Sequence, residues 1–283
     1  MPQPRVLMCA PDFYGIEYEI NPWMDRRVGS DSALAHQQWN ALRETLEGLG
    51  AKVERLDAVP GLPDLVFTAN AGLVFGNRFF VSRFKHGPRQ GESVHFARWA
   101  REHEFDVELL PENLEFEGAG DALFCGETLF AGYRTRSSVR SHQWVAEQVG
   151  VQVLPLELVD ERFYHLDTCF CPLDPSTAIY HPAAFDDYGR SVLADRIPRL
   201  IEVSAEEAVI FTCNAVVVGK AVILNAGTPR LSRALSDNGF QVIPLHFSEF
   251  IKAGGSAKCL TLRLDGEEAA AWRLRPDPGA SNS

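Results

Sequence analysis

Polar and apolar positions alternate along the chain in one recurring order: a polar residue or two, a short apolar run, a turn, and a second apolar run. The copies read TANAGLVFGNRFFVSR from Thr68, GAGDALFCGETLFAGYR from Gly118, HLDTCFCPLDPSTAIYH from His165 and FTCNAVVVGKAVILNAG from Phe211. A truncated copy, SAKCLTLRLDG, begins at Ser256. The pairs Gly76-Asn77, Gly126-Glu127, Asp174-Pro175 and Gly219-Lys220 carry hairpin-turn chemistry between the runs. After most hairpins the apolar spacing widens to three and four, the period of a helix with one buried stripe. This predicts helices over residues 35–49, 94–102, 138–149, 183–195 and 229–238, the first with Leu42, Leu46 and Leu49 on one side. Pro182 and Pro229 stand where a first helical turn accepts proline. Short strands are expected next, over 52–56, 106–110, 151–156, 200–203 and 241–245.

The unit is thus ββαβ, about 50 residues long, and present five times, a size at which one repeat buries its apolar face only against its neighbours. Aligning the polar positions gives Asn70, Asp121, Asp167, Asn214 and Cys259, spaced 45 to 51 residues apart. Five units suggest a closed α/β wheel whose equivalent polar residues converge near its axis. That would gather Asn70, Glu117 with Asp121, His165 with Asp167, Asn214 and Cys259. The alternative is two doubly wound α/β lobes without a special centre. Residues 1–266 are expected to form one catalytic domain, and 267–283, ending in RPDPGASNS, a flexible tail.

Composition narrows the function more than the fold. The 283 residues are 46% hydrophobic and 23% charged, ordinary for a globular protein, with a formal net charge of −11. An acidic surface without a basic run speaks against a nucleic-acid partner. No apolar stretch has the length of a membrane span, and the N-terminus lacks a signal-peptide layout, so neither membrane association nor secretion is expected and the compartment is read as cytoplasm. The six cysteines are scattered and form no CxxC pair, which predicts neither a zinc site nor a disulfide framework. No phosphate loop or dinucleotide fingerprint is present, so no cofactor and no metal are expected. Self-association is compatible with the sequence.

A thiol with a pKa near ~8.5 is mostly protonated at neutral pH and needs a cation or a histidine to act as a nucleophile. Most of the cysteines read as small core residues. Cys259 differs, because it occupies the polar register and follows Gly254-Gly255, with His165 expected to face it from another unit. Cys213, beside Asn214, is a second choice. Convergent carboxylates suit a guanidinium, whose planar N–H pairs match them in a fork, so Glu117 and Asp167 would clamp one against the sulfur. Taken singly, FEGAGD also fits a glycine-rich turn, and HLDT a strand end with a satisfied histidine.

FEGAGD (116–121), HLDTCF (165–170) and AGGSAKCLTL (253–262), in this order, resemble the guanidino-group-modifying superfamily. Its members include arginine deiminase, dimethylarginine dimethylaminohydrolase, arginine dihydrolase and the amidinotransferases. The resemblance runs from about Val6 to Leu264 and implies a five-bladed α/β-propeller, in agreement with the repeat. It implies that Cys259 attacks the guanidinium carbon to form a covalent adduct, that His165 moves the protons, and that Glu117 and Asp167 bind guanidinium nitrogens. FEGAGD has one residue more than the common EGGD form, which puts the match of Glu117 in question. Arg89 and Arg136, with Arg134 in reserve, match positions that hold the substrate α-carboxylate; the plain alternative for each is a solvated surface arginine.

Deiminases and dimethylarginine hydrolases carry an aspartate where DLVFTAN ends here in Asn70. With EINPWM, which contains Asn21, this segment most resembles arginine dihydrolases, which release ornithine, carbon dioxide and two ammonia. An amide donates to a carbonyl oxygen that a carboxylate would repel, so Asn70 would retain a citrulline-like intermediate. The implied partner is a small guanidino substrate, arginine or methylated arginine. Rival readings are a citrulline-releasing hydrolase, an amidinotransferase, and a binding propeller without catalysis.

Overall fold

The computed structural model describes residues 3–274. Its strands form five separate three-stranded sheets rather than two large ones, which removes the two-lobe alternative. In four of them an antiparallel hairpin leads through a helix to a third strand lying parallel to the second. The hairpins are Gly72–Phe75 with Arg78–Val81, Ala122–Cys125 with Thr128–Tyr133, Phe170–Asp174 with Thr177–Tyr180, and Val216–Val218 with Ala221–Asn225. Their third strands are Asp106–Leu109, Gln152–Glu157, Arg199–Glu202 and Gln241–Leu245. The connecting helices are Ser93–Glu102, Val139–Val149, Asp187–Arg196 and Pro229–Asp237.

The fifth unit straddles the two ends of the chain. Leu262–Arg263 pairs antiparallel with Arg5–Cys9, which continues through helix Ser32–Gly48 to a parallel Lys52–Leu56. The copy beginning at Ser256 is short because its second strand, helix and third strand lie at the N-terminus. In this helix Ala35, Gln38, Trp39, Leu42 and Leu46 form the buried stripe, and the Asp31 side chain caps the start by accepting from the Leu34 N–H. Such a cap is worth about 1 kcal/mol, and truncating a buried leucine such as Leu42 to alanine costs about 2–5 kcal/mol.

Two local expectations shift. The third hairpin turns at Pro175-Ser176, because Asp174 ends its strand and its carboxylate accepts from the Ser176 N–H and hydroxyl. The helix of the third hairpin's unit begins at Asp187, not residue 183: Pro182–Ala184 is a separate 3-10 turn, and Asp186 caps the helix through the Gly189 N–H at 2.7 Å. The expected tail also starts too early. Gly126 exchanges backbone bonds with Ala269 and Ala271, Arg273 pairs with Asp265 and Glu268, and Trp272 packs on Phe75, so the stretch from Glu267 to Leu274 is anchored. The rest of that tail, 275–283, lies outside the described residues. No helix among the described residues is long and apolar enough to cross a membrane.

Apolar side chains fill the spaces between neighbouring units; one cluster joins Leu123, Phe130, Phe170, Ile179 and Leu224 from three of them. The polar positions meet instead at the turns that precede the hairpins, and their bonds pass from unit to unit. Asn70 Nδ2 donates to the Glu117 carbonyl, the Leu166 N–H to Asp121, Asn214 Nδ2 to the Asp167 carbonyl, the Cys259 N–H to Asn214 Oδ1, and the Ala69 N–H to the Cys259 carbonyl. These polar groups are buried, and each bond offsets the cost of removing them from water.

Candidate active site

The nucleophile candidate sits on backbone that only glycine allows so close. A Cβ on Gly255 would fall 2.6 Å from the Phe67 ring and 3.2 Å from the Cys259 Cβ. The Cys259 sulfur lies 3.1 Å from Asn214 Nδ2 and 3.6 Å from Asp167 Oδ2. Burial, and then the neighbouring Asp167, push this thiol well above its ordinary pKa. Burial also raises Asp167 to about 7, against the opposing charge of Lys258, which is itself paired with Glu267. The second oxygen of Asp167 is buried and has no partner. Cys213 lies in the apolar core between units, and burial pushes its thiol up as well. Its neighbour Asn214 is the residue that reaches Cys259.

His165 is supplied by the third unit, as expected, but its Nε2 bonds to Glu117 Oε2 at 2.8 Å rather than to the sulfur. The same oxygen accepts from Arg136 Nη1 at 3.0 Å, and Oε1 accepts from the Lys85 N–H. Although burial opposes it, Arg136 and His165 hold Glu117 well below the usual carboxylate range. Glu117 is therefore the ionised partner of the imidazole, with both oxygens engaged, and not the free arm of a guanidinium clamp. The additional residue in FEGAGD is absorbed by the 3-10 turn Gly118–Gly120. A Cβ on Gly120 would fall 2.2 Å from Asn70 Nδ2, so glycine alone lets these two units close on each other.

Asp121, expected on the substrate, has both oxygens engaged within the protein. Its Oδ2 accepts from the Ser137 hydroxyl at 2.6 Å and its Oδ1 from the Leu166 N–H at 3.1 Å, while Ser137 Oγ accepts from the Glu117 N–H. Asp121 thus brackets the backbone that carries His165 to the backbone that carries Glu117. Burial raises it to about 6.

The three arginines separate clearly. Arg134 is exposed and pairs with Glu157 away from the cluster. Arg136 is buried, bonds to Glu117 and the Ile20 carbonyl, and lies 4.6 Å from the centre of the Tyr164 ring, with its Nε unpartnered. Arg89 is buried too, but its guanidinium grips Glu92 through two bonds of 2.8 Å and also meets Asn70 Oδ1 and the Asp64 carbonyl. It does not stand as a free cation for a carboxylate, because Glu92, three residues on, takes the fork. Asn21 is likewise spent within the protein. Its Nδ2 donates to the Ala253 carbonyl and its Oδ1 accepts from the Trp23 and Met24 N–H groups, which ties the N-terminal stretch to the Gly-Gly turn.

Asn70 is the informative neutral group. Arginine only donates, so the Asn70 atom that meets Arg89 Nη1 at 2.9 Å is the carbonyl oxygen, and the NH2 group donates to the Glu117 carbonyl. Sequence reasoning passed over Asp64, six residues upstream in the same DLVFTAN segment. It is buried, burial raises its carboxyl, and its Oδ1 has no partner. Asp64 Oδ1, Asp167 Oδ1 and Arg136 Nε are thus orphaned buried polar atoms in the same polar centre, and such atoms call for a ligand with both donors and an acceptor. Asn214 carried a signal, its place in the repeat register, but no role.

Comparison with known proteins agrees along nearly the whole chain. A family profile described as N,N dimethylarginine dimethylhydrolase, eukaryotic, matches residues 19–265. The bifunctional arginine dihydrolase/ornithine cyclodeaminase of Synechocystis is 48% identical over 92% of this chain and 37% of its own, so the chain spans little more than a third of that relative. An N(G),N(G)-dimethylarginine dimethylaminohydrolase of Mycobacterium tuberculosis is 38% identical over 92% of this chain and 85% of its own. Among solved structures, the N-terminal domain of ArgZ, in a variant covalently bound to a reaction intermediate, superimposes with a TM-score of 0.91. That match is 45% identical and covers 95% of this chain and 99% of that one.

Proposed function

Because the chain belongs to the dimethylarginine dimethylhydrolase family of guanidino-modifying enzymes, we propose that it is a cysteine-dependent hydrolase converting L-arginine to ornithine, carbon dioxide and two ammonia. The observation that carries this choice is the Asn70 amide, a neutral group held with its oxygen on Arg89 and its NH2 group on the Glu117 backbone carbonyl. The 48% identity to a protein described as an arginine dihydrolase supports it. In this reading the five units make one closed five-bladed α/β-propeller, and residues 1–266 act as a single catalytic domain.

Cys259 is the nucleophile. Its raised pKa keeps the resting site unreactive, and the positive charge of an entering guanidinium offsets that penalty, so the thiolate forms with the substrate in place. Asp167 and Asp64 take the guanidinium N–H groups with their unpartnered oxygens. The thiol proton passes to His165 as the sulfur bonds to the guanidinium carbon, His165 gives that proton to the leaving nitrogen, and ammonia departs. Water then loses a proton to His165 and attacks the same carbon, and the carbon–sulfur bond breaks to leave citrulline. Glu117 orients the imidazole by holding its Nε2 at 2.8 Å. Asn70 donates to the ureido oxygen and retains citrulline. In a second cycle the sulfur displaces the second ammonia, and water releases a carbamate that falls apart to ornithine and carbon dioxide.

A second reading, hydrolysis of methylated arginine to citrulline, is favoured by the description of the family profile and by the mycobacterial relative. The test is incubation of EDTA-treated protein with arginine and, separately, with dimethylarginine, followed by measurement of ornithine, citrulline, ammonia and dimethylamine. Ornithine with two ammonia per arginine supports the dihydrolase. Citrulline and dimethylamine from the methylated substrate alone overturn it.

A further inference from the structure

We infer that Asn214 is a positioning residue for the nucleophile, its amide aiming the Cys259 sulfur at the substrate carbon and donating to it once it is a thiolate. The inference rests on the covalent mechanism proposed above and adds a residue to it. A side-chain amide offers two N–H donors and an oxygen with two acceptor positions. All four are used here: Nδ2 donates to the Asp167 carbonyl at 3.2 Å and to Cys259 Sγ at 3.1 Å, and Oδ1 accepts from the Ser256 N–H at 3.0 Å and the Cys259 N–H at 3.1 Å. The orientation follows from chemistry. With the amide reversed, two N–H donors would face two backbone N–H donors, so the NH2 group must face the sulfur.

Asn214 thereby joins three units through one side chain. It comes from the fourth unit, grips the backbone of Asp167 in the third, and fixes both ends of the Ser256–Cys259 turn in the fifth. The residue is fully buried, so water does not compete for its bonds. A hydrogen bond to an ionised acceptor is roughly twice as strong as one to a neutral acceptor, so the bond to sulfur strengthens as the thiolate forms. The amide also works against the burial and the Asp167 charge that push this thiol up. Its own turn is held firmly: the Asn214 N–H bonds to the Phe211 carbonyl, and Phe211 adopts a left-handed backbone at φ 59° with Trp23 packed on its ring. Left-handed backbone is rare for an aromatic residue and collects at functional sites.

The test uses the full chain and chloroacetamidine, an alkylating amidinium that brings its own positive charge. The rate of inactivation is measured from pH 6 to 10 for wild type, Asn214→Ala and Asn214→Asp, and turnover of arginine is measured in parallel. Asn214→Ala removes the donor without adding a charge. It should move the inactivation profile at least one pH unit alkaline and lower kcat at least tenfold, with KM changed less than threefold. Asn214→Asp keeps the acceptor for the Ser256 and Cys259 N–H groups and should shift in the same direction. If Asn214→Ala does not fold, Asn214→Asp decides by the same profile. A profile that superimposes on wild type, or a loss confined to KM, overturns the role. Because alkylation needs no turnover, an unshifted profile with normal ornithine release rejects Asn214 alone. A shifted profile without ornithine rejects the substrate and leaves Asn214 in place.

Discussion

Arg89 donates from Nη1 to the side-chain oxygen of Asn70 at 2.9 Å, and the Asn70 Nδ2 donates to the Glu117 carbonyl at 3.2 Å, so the two bonds together fix which way the amide points. Reversed, the amide would set an N–H donor against the Arg89 guanidinium and its oxygen against the Glu117 carbonyl, and these two neighbours suit opposite poles of a ureido group or a guanidinium. Glu92 holds Arg89 in turn through two bonds, so the orientation is set by a buried chain of three residues.

Asn70→Asp should accordingly change the product more than the rate. A carboxylate suits the cationic guanidinium but opposes the partial negative charge of a carbonyl oxygen. The variant is expected to release citrulline, with ammonia falling from about two toward about one per arginine consumed under the two-step scheme. Product analysis of both proteins at equal arginine conversion checks this; an unchanged ratio would place retention of the intermediate elsewhere.

Cys259→Ser should abolish turnover while still binding arginine, since a hydroxyl is not ionised near neutral pH. In that variant, arginine affinity should depend on pH through Asp167, which burial raises to about 7. Below that value the free site holds a proton that the guanidinium must displace, so affinity should rise about tenfold per unit from pH 5 and level off above about 7. The same shift means that ionising Asp167 costs the unliganded protein stability as pH rises from about 4 through about 7. Calorimetry in two buffers would count the protons released. No release at pH 6 would remove Asp167 from the guanidinium site.

His165→Ala should lower kcat by about 10²–10⁴, the usual share of a general acid–base group. Glu117→Gln keeps the shape but removes the charge beside the imidazole, and should lower kcat at least tenfold with a smaller effect on KM. Because Glu117 is held below its ordinary range, its stabilising contribution is present above about pH 4.3 and fades as the pH falls below that. Steady-state kinetics of both variants, with acid-unfolding curves for the second, test the pair.

Arg136→Ala and Arg134→Ala should differ sharply. The first removes a buried partner of Glu117, a change that costs about 3–5 kcal/mol where an uncompensated charge remains. The second removes an exposed pair with Glu157, a kind of contact worth about 0–1 kcal/mol at most. Thermal unfolding and KM for arginine should change for Arg136→Ala and stay near wild type for Arg134→Ala. The reverse pattern would mean that the substrate carboxylate lies at the rim.

Local order was legible in the residues because it depends on neighbours in the chain. Apolar runs around Gly76-Asn77 and Gly219-Lys220 specify hairpins wherever they are placed, and the stripe of Leu42 and Leu46 specifies a helix that must bury one side. The repeat register then singled out Asn70, Asp121, Asp167, Asn214 and Cys259, and all five are buried at the turns where the units meet. What each does was decided by partners far away in sequence. Glu117 partners His165, 48 positions on, and shares the same oxygen with Arg136, while Arg89 is engaged by Glu92 and Asn70. Asp121 and Asn21 turned from ligand candidates into brackets for the same reason. A side chain's type states which hydrogen bonds it is able to make; in a dry centre, three-dimensional packing determines which are already made, and chemistry is left to the atoms still unpaired.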